Sequence, residues 1–216
     1  MHARGRTDRR AGGARPGHRL GFRQRAAPAL QGPELSPPDL HADLQPYAWL
    51  LGQWQGAGHG DYPSIEKFSF GQEVAFAHDG RPFLHYFSRS WIVDDEGERL
   101  RPGGLETGFL RPRPDSGCEL VLAHPTGFAE IWYGALDGHK IELTTDVVAR
   151  TESAKEVTAG HRLYGLVDGD LLWAYDMAAQ GHQLQSHLWG RLVRPADPSG
   201  SGPLGAEPPG DGGAPA

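Results

Sequence analysis

With 216 residues the chain has room for one ordinary domain with tails, or for two very small ones. Eight arginines against one aspartate in the first 25 residues make a head of about +7, so the net −6 hides a body of about −13. That acidic body excludes nucleic acid as the main partner, since phosphate neutralisation needs clustered Lys and Arg on the folded surface. Cys118, the single cysteine, excludes an internal disulfide or a thiolate metal cluster. No apolar run approaches a membrane span, so no membrane partner is expected. Neither the arginine-rich start nor Arg9-Arg10 leads into the apolar core of an export signal, and the cytoplasm is the expected compartment.

Residues 1–37 are rich in Arg, Gly, Pro and Ala, and residues 196–216 in Gly, Pro and Ala. Neither stretch holds enough apolar side chains to offset the entropy of ordering, so both are expected to be disordered tails. Between them lies one domain, 38–195, of about 155 residues, ample for a single core.

The domain opens on Asp39 to Leu51, where Leu40, Leu44, Tyr47 and Leu51 recur at helical spacing. Pro46 lacks an amide donor, so two short helical turns capping one end of the domain are expected. Next comes Gly52-Gln53-Trp54-Gln55-Gly56-Ala57-Gly58-His59-Gly60-Asp61-Tyr62-Pro63-Ser64-Ile65. Glycine weakens a strand, so Gly52, Gly56, Gly58 and Gly60 around Trp54 mark a place where another group approaches the backbone closely.

From there the pattern is strand-like almost throughout. Phe68, Phe70, Val74 and Phe76 share one parity, and Phe83, His85, Phe87 and Trp91 share another, which makes His85 a core histidine in this reading. Further strand-like runs cover 119–123, 129–136, 140–148, 161–167 and 171–177. Asp-Gly pairs at 79–80, 137–138 and 168–169, with Asp94 to Gly97, supply the turns of tight hairpins. Consecutive strands joined by such turns pair antiparallel, and closure removes exposed edges. The fold class is therefore all-β: an antiparallel, lipocalin-like up-and-down barrel of about eight to ten strands, wide enough for one small ligand.

The eleven histidines are the main pool of chemistry. None has zinc-site spacing, no Ser-His-Asp or activated cysteine arrangement emerges, and the Asp94-Asp95-Glu96 carboxylates fall in a turn. His187 stands out in Leu184-Gln185-Ser186-His187-Leu188-Trp189, where period-two alternation puts it with Trp189 on the face opposite Leu188 and Leu192. Alternation leaves open which face is inward.

The Gly-x-Trp-x-Gly-x-Gly-x-Gly-x-Tyr-Pro-Ser-Ile stretch and the Leu-x-x-His-Leu segment together resemble the nitrobindin family of haem-binding β-barrels. Residues 76–83, 106–111, 120–127 and 151–158 add to the resemblance, which spans about residues 40 to 194; Ser64 departs from the family's usual Thr but keeps the hydroxyl. The resemblance implies one haem b per subunit, with His187 as the iron ligand and Lys155 at the propionates. It further implies that Gly52, Trp54, Gly56 and Gly58 lie against the macrocycle, with Ser64 near its edge. Peroxynitrite, isomerised to nitrate at ferric iron, and nitric oxide are the ligands so implied, and a homodimer is permitted. The alternative of a different class is a non-enzymatic lipocalin-like barrel carrying another apolar ligand.

Overall fold

The computed structural model describes residues 38–196. The tails expected at 1–37 and 196–216 lie outside them, apart from Ala196. A 3₁₀ helix, Ala42–Leu50, leads into ten strands: β1 Gly52–Tyr62, β2 Ile65–Ala77, β3 Leu84–Val93, β4 Arg99–Pro112, β5 Gly117–His124, β6 Phe128–Asp137, β7 Lys140–Arg150, β8 Val157–Val167, β9 Asp170–Ala179 and β10 Gln185–Val193. Each strand pairs antiparallel with the next, and β10 pairs with β1 to close the barrel. The expected all-β barrel is thus the observed fold.

Alternation builds the core. Phe70, Val74 and Phe76 of β2, Leu84 and Tyr86 of β3, and Leu120 and Leu122 of β5 are all buried. The hairpins take their turns from the glycines. Asp168 and Gly169 have φ of 52° and 87°, the two positive angles of a tight two-residue hairpin.

The helix differs from the expected pair of turns broken at Pro46: one 3₁₀ run passes through the proline. Its buried residues, Leu44, Tyr47 and Leu50, recur every third position, the period of a 3₁₀ helix and not of an α-helix. The rest of the chain holds it in place. Tyr47 donates its hydroxyl to the Gly117 carbonyl at 3.1 Å, Trp54 Nε1 donates to Leu50 O at 2.7 Å, and the Arg194 guanidinium donates to Leu51 O at 2.7 Å and Trp49 O at 3.0 Å. The helix therefore plugs one end of the barrel, where β1 begins and β10 ends.

His85 is corrected here. In β3 the even-numbered residues Leu84, Tyr86 and Ser88 point inward, so His85 faces out, 5.4 Å from the Phe109 ring and 3.2 Å from the Thr107 hydroxyl.

Candidate functional site

The end opposite the helix gathers the β1–β2, β5–β6, β7–β8 and β9–β10 connections around a cavity of about 560 Å³. That lies within the roughly 300–1,000 Å³ of small-molecule sites. A hollow of about 630 Å³ lies elsewhere, at Leu172 and Trp189. Both of those side chains are substantially exposed on the wall, so this hollow is a surface groove, and the ionisable groups converge in the other cavity.

His187 enters the cavity because β10 is bulged. Ser186 pairs with Asp176 and Leu188 with Tyr175, so His187 is an extra residue in the ladder. A bulge breaks the two-residue period and re-aims a side chain. His187 and Leu188 consequently both line the cavity, while Trp189 returns to the outer face. The ring stands edge-on between Tyr62, at 5.2 Å, and Tyr175, at 5.9 Å. Tyr62 is itself fixed: its hydroxyl accepts from the Ala179 amide at 2.9 Å and lies 3.2 Å from the Ala179 carbonyl.

His187 Nδ1 lies 3.2 Å from the Asp61 carbonyl oxygen. A carbonyl only accepts, so Nδ1 carries the proton and Nε2 keeps a lone pair. Burial lowers the proton affinity of the ring below its usual range, more than the Asp61 contact restores it. The histidine is therefore neutral near pH 7, the form that ligates a metal.

The deeper part of the cavity is a buried ionic network. Arg162 on β8, 2% exposed, donates to both oxygens of Glu106 on β4, Nη2 to Oε1 at 2.6 Å and Nη1 to Oε2 at 3.0 Å. Tyr86 donates to the same carboxylate at 2.9 Å. Burial alone would raise the Glu106 carboxyl, but the Arg162 charge and its hydrogen bonds carry it down to about 2. The rings of Tyr175, at 4.6 Å, and Trp132, at 5.2 Å, flank the guanidinium. His124 donates Nε2–H to the buried Glu130 carboxylate at 2.9 Å and stacks on Phe128, ring centres 3.9 Å apart.

Of the residues singled out from sequence, the cavity brings together His187, Lys155 and Ser64. Lys155 is exposed at the mouth in the β7–β8 connection. The Ser64 hydroxyl donates to Gln180 Oε1 at 2.8 Å across the rim.

Gly52, Trp54, Gly56 and Gly58 do not line the cavity, which corrects their placement against a macrocycle. Gly52 and Trp54 sit at the plugged end. A Cβ on Gly56 would lie 2.2 Å from the Arg191 carbonyl, and one on Gly58 would lie 2.4 Å from the Phe70 ring. The glycines let β10 and the β2 aromatics close on β1, so the close approach inferred from sequence is made by the protein itself.

Sequence reasoning missed Glu106, His124, Glu130, Arg162 and Tyr175. A signal was present for two of them: Arg162 shares parity with buried Tyr164, and Glu130 with buried Trp132, which is unusual for charge in a strand.

The donor set suits haem: a neutral imidazole with Nε2 free, apolar walls at Phe128, Met177 and Leu188, and a cationic rim at Lys155. Among the described residues no group of three or more His, Cys, Asp or Glu converges to hold a bare metal ion. Fold and site together define a cofactor-binding β-barrel with His187 presented at its open end.

The family described as "THAP4-like, heme-binding beta-barrel domain" matches residues 43–194, and the chain belongs to it, the nitrobindin family. A protein from a Nocardioides species named peroxynitrite isomerase is 65% identical over 158 residues, 73% of this chain and 96% of that protein. Another of that name, from Salinispora tropica, is 48% identical over 162 residues, 73% of this chain and 83% of its own length. A ferric nitrobindin-like protein of Cutibacterium acnes is 47% identical over 160 residues, 73% of this chain and 96% of its own. The crystal structure of Rv2717c from M. tuberculosis matches with a TM-score of 0.66 and 41% identity, covering 72% of this chain and 99% of that one.

Proposed function

We propose that this protein is a peroxynitrite isomerase which holds one haem b per subunit through His187 and also binds nitric oxide there. The observation that carries the reading is the His187–Asp61 bond, which fixes the tautomer and reserves Nε2 as the ligating atom. The relatives named peroxynitrite isomerase support the activity.

Bound ferric haem supplies a Lewis-acidic iron at which the peroxynitrite anion rearranges to nitrate. The chain does the rest. His187 Nε2 would be the nitrogen that holds the iron, with the opposite wall of the cavity left for an anion. Tyr62 and Tyr175 hold the imidazole plane. Phe128, Met177 and Leu188 would shield the cofactor from water, and Lys155 at the mouth would pair with its carboxylates. No side-chain nucleophile or general base is needed. We further read the protein as cytoplasmic and able to form a homodimer.

Stopped-flow decay of peroxynitrite tests this reading with apoprotein, haemin-loaded protein and loaded Cys118→Ser. Acceleration that tracks haemin occupancy and survives Cys118→Ser supports it. Equal rates for apo and loaded protein would reject it and leave a carrier barrel.

A further inference from the structure

His124 has no role in the account so far, yet it lines the same cavity as His187. Its strand, β5, and that of His187, β10, are five steps apart in either direction round the ring of ten. The two histidines therefore stand on opposite walls of the open end. A planar cofactor held by His187 would have the His124 wall on its other side.

The His124 ring is held as a built site is held. Its side chain is 8% exposed, it stacks on Phe128 with 13° between the planes, and Nε2 bonds Glu130 Oε2 at 2.9 Å. Glu130 is 1% exposed, and its second oxygen, Oε1, has no hydrogen-bond partner among the described residues. A carboxyl group this deep needs a polar partner. Arg162 gives both Nη groups to Glu106 and makes no hydrogen bond to Glu130. His124 is the side chain that hydrogen-bonds Glu130.

The other ring nitrogen, Nδ1, makes no hydrogen bond among the described residues. The nearest carboxylate to it, Glu106 Oε1, is 3.9 Å away, beyond hydrogen-bond length, and is already held by Arg162 at 2.6 Å. Tyr86 bonds Glu106 and Tyr164 bonds Arg162, while Tyr175 also faces the network. We propose that His124 is a second ligand-facing residue, whose Nδ1–H hydrogen-bonds an anion bound at the cofactor face opposite His187, with Glu130 as the residue that positions it.

This inference rests on the haem reading above, and the test separates the two. The probe is azide, an anion that ligates ferric haem, titrated by absorption into the haemin-loaded protein. His124→Gln keeps an amide donor for Glu130 and removes the second ring nitrogen. The paired change His124→Leu with Glu130→Leu removes both partners of the buried bond, so no orphaned carboxylate remains to unfold the barrel. Azide should bind each folded variant about tenfold or more weakly than the unchanged protein, the scale of a hydrogen bond to a charged group. Haemin affinity should stay within about twofold, since His187 is untouched. Proton ENDOR of the azide complex of the unchanged protein in H₂O and D₂O should also show an exchangeable proton coupled near the ligand. Azide affinity within about twofold in a folded, haemin-loaded variant would overturn the role of His124 alone, as would the lack of that exchangeable proton. Failure of the unchanged protein to take up haemin would overturn the haem reading, and this inference with it.

Discussion

His187 and Asp61 are joined across the seam where β10 closes on β1, the ring Nδ1–H donating to the Asp61 carbonyl at 3.2 Å. Two irregularities meet there. The β10 ladder skips His187, and the β1–β2 ladder shifts between Gly60 and Tyr62. Regular pairing is given up here so that His187 turns inward and finds an acceptor.

This arrangement has a pH signature in the apoprotein. His187 is held below its ordinary 6.5 chiefly by burial, so below that pH the unfolded chain binds more protons than the folded one. Stability therefore falls as pH drops below about 6.5, on account of this group. Replacing His187 with Gln should flatten that part of a melting-temperature profile. Glu106 acts in a separate window: its contribution is full above 4.5 and is lost as pH falls from 4.5 toward about 2. A second drop should appear there in both proteins.

The Arg162–Glu106 pair should show the asymmetry of a buried ion pair. Arg162→Ala leaves a desolvated carboxylate and should cost about 3–5 kcal/mol in urea unfolding of the apoprotein. Replacing both residues with Leu should cost clearly less than the two single changes combined. Additive losses would mean that water reaches the pair and that it is not the buried network described above.

The glycine and tryptophan positions of β1 should report on folding. Gly58→Ala places a methyl group 2.4 Å from Phe70 and 2.5 Å from the Trp189 carbonyl, and should destabilise by about 1–3 kcal/mol. Trp54→Ala removes a fully buried ring that bonds Leu50 O and lies under Arg194, and should cost about 3–5 kcal/mol. Haemin affinity of folded Trp54→Ala should remain within about twofold, because Trp54 lies at the plugged end. A selective loss of haemin binding with unchanged stability would return Trp54 to the cofactor.

Much of the barrel was legible because alternation and Asp-Gly turns are local signals. Phe70, Val74 and Phe76 read as one buried face, and the 168–169 turn has the positive angles that Asp-Gly implies. β4 escaped notice because its first half, from Arg99 to Leu105, is exposed and contains Pro102, Gly103 and Gly104. His85 was misplaced because Phe87, whose parity it shares, is itself an apolar side chain on the outer face of β3. His187 was found through its motif, but its inward aim is a property of a bulge that side-chain period cannot reveal. The Arg162–Glu106 pair spans 56 residues and exists only once the sheet closes.

Haemin titration of the apoprotein, wild type beside His187→Ala, tests the central claim most directly. The account predicts one haemin per wild-type chain, with a Soret band typical of imidazole ligation. In His187→Ala that band should be lost and the affinity should fall at least tenfold, with the β-sheet circular dichroism preserved. Equal affinity and an identical spectrum in the two proteins would contradict it.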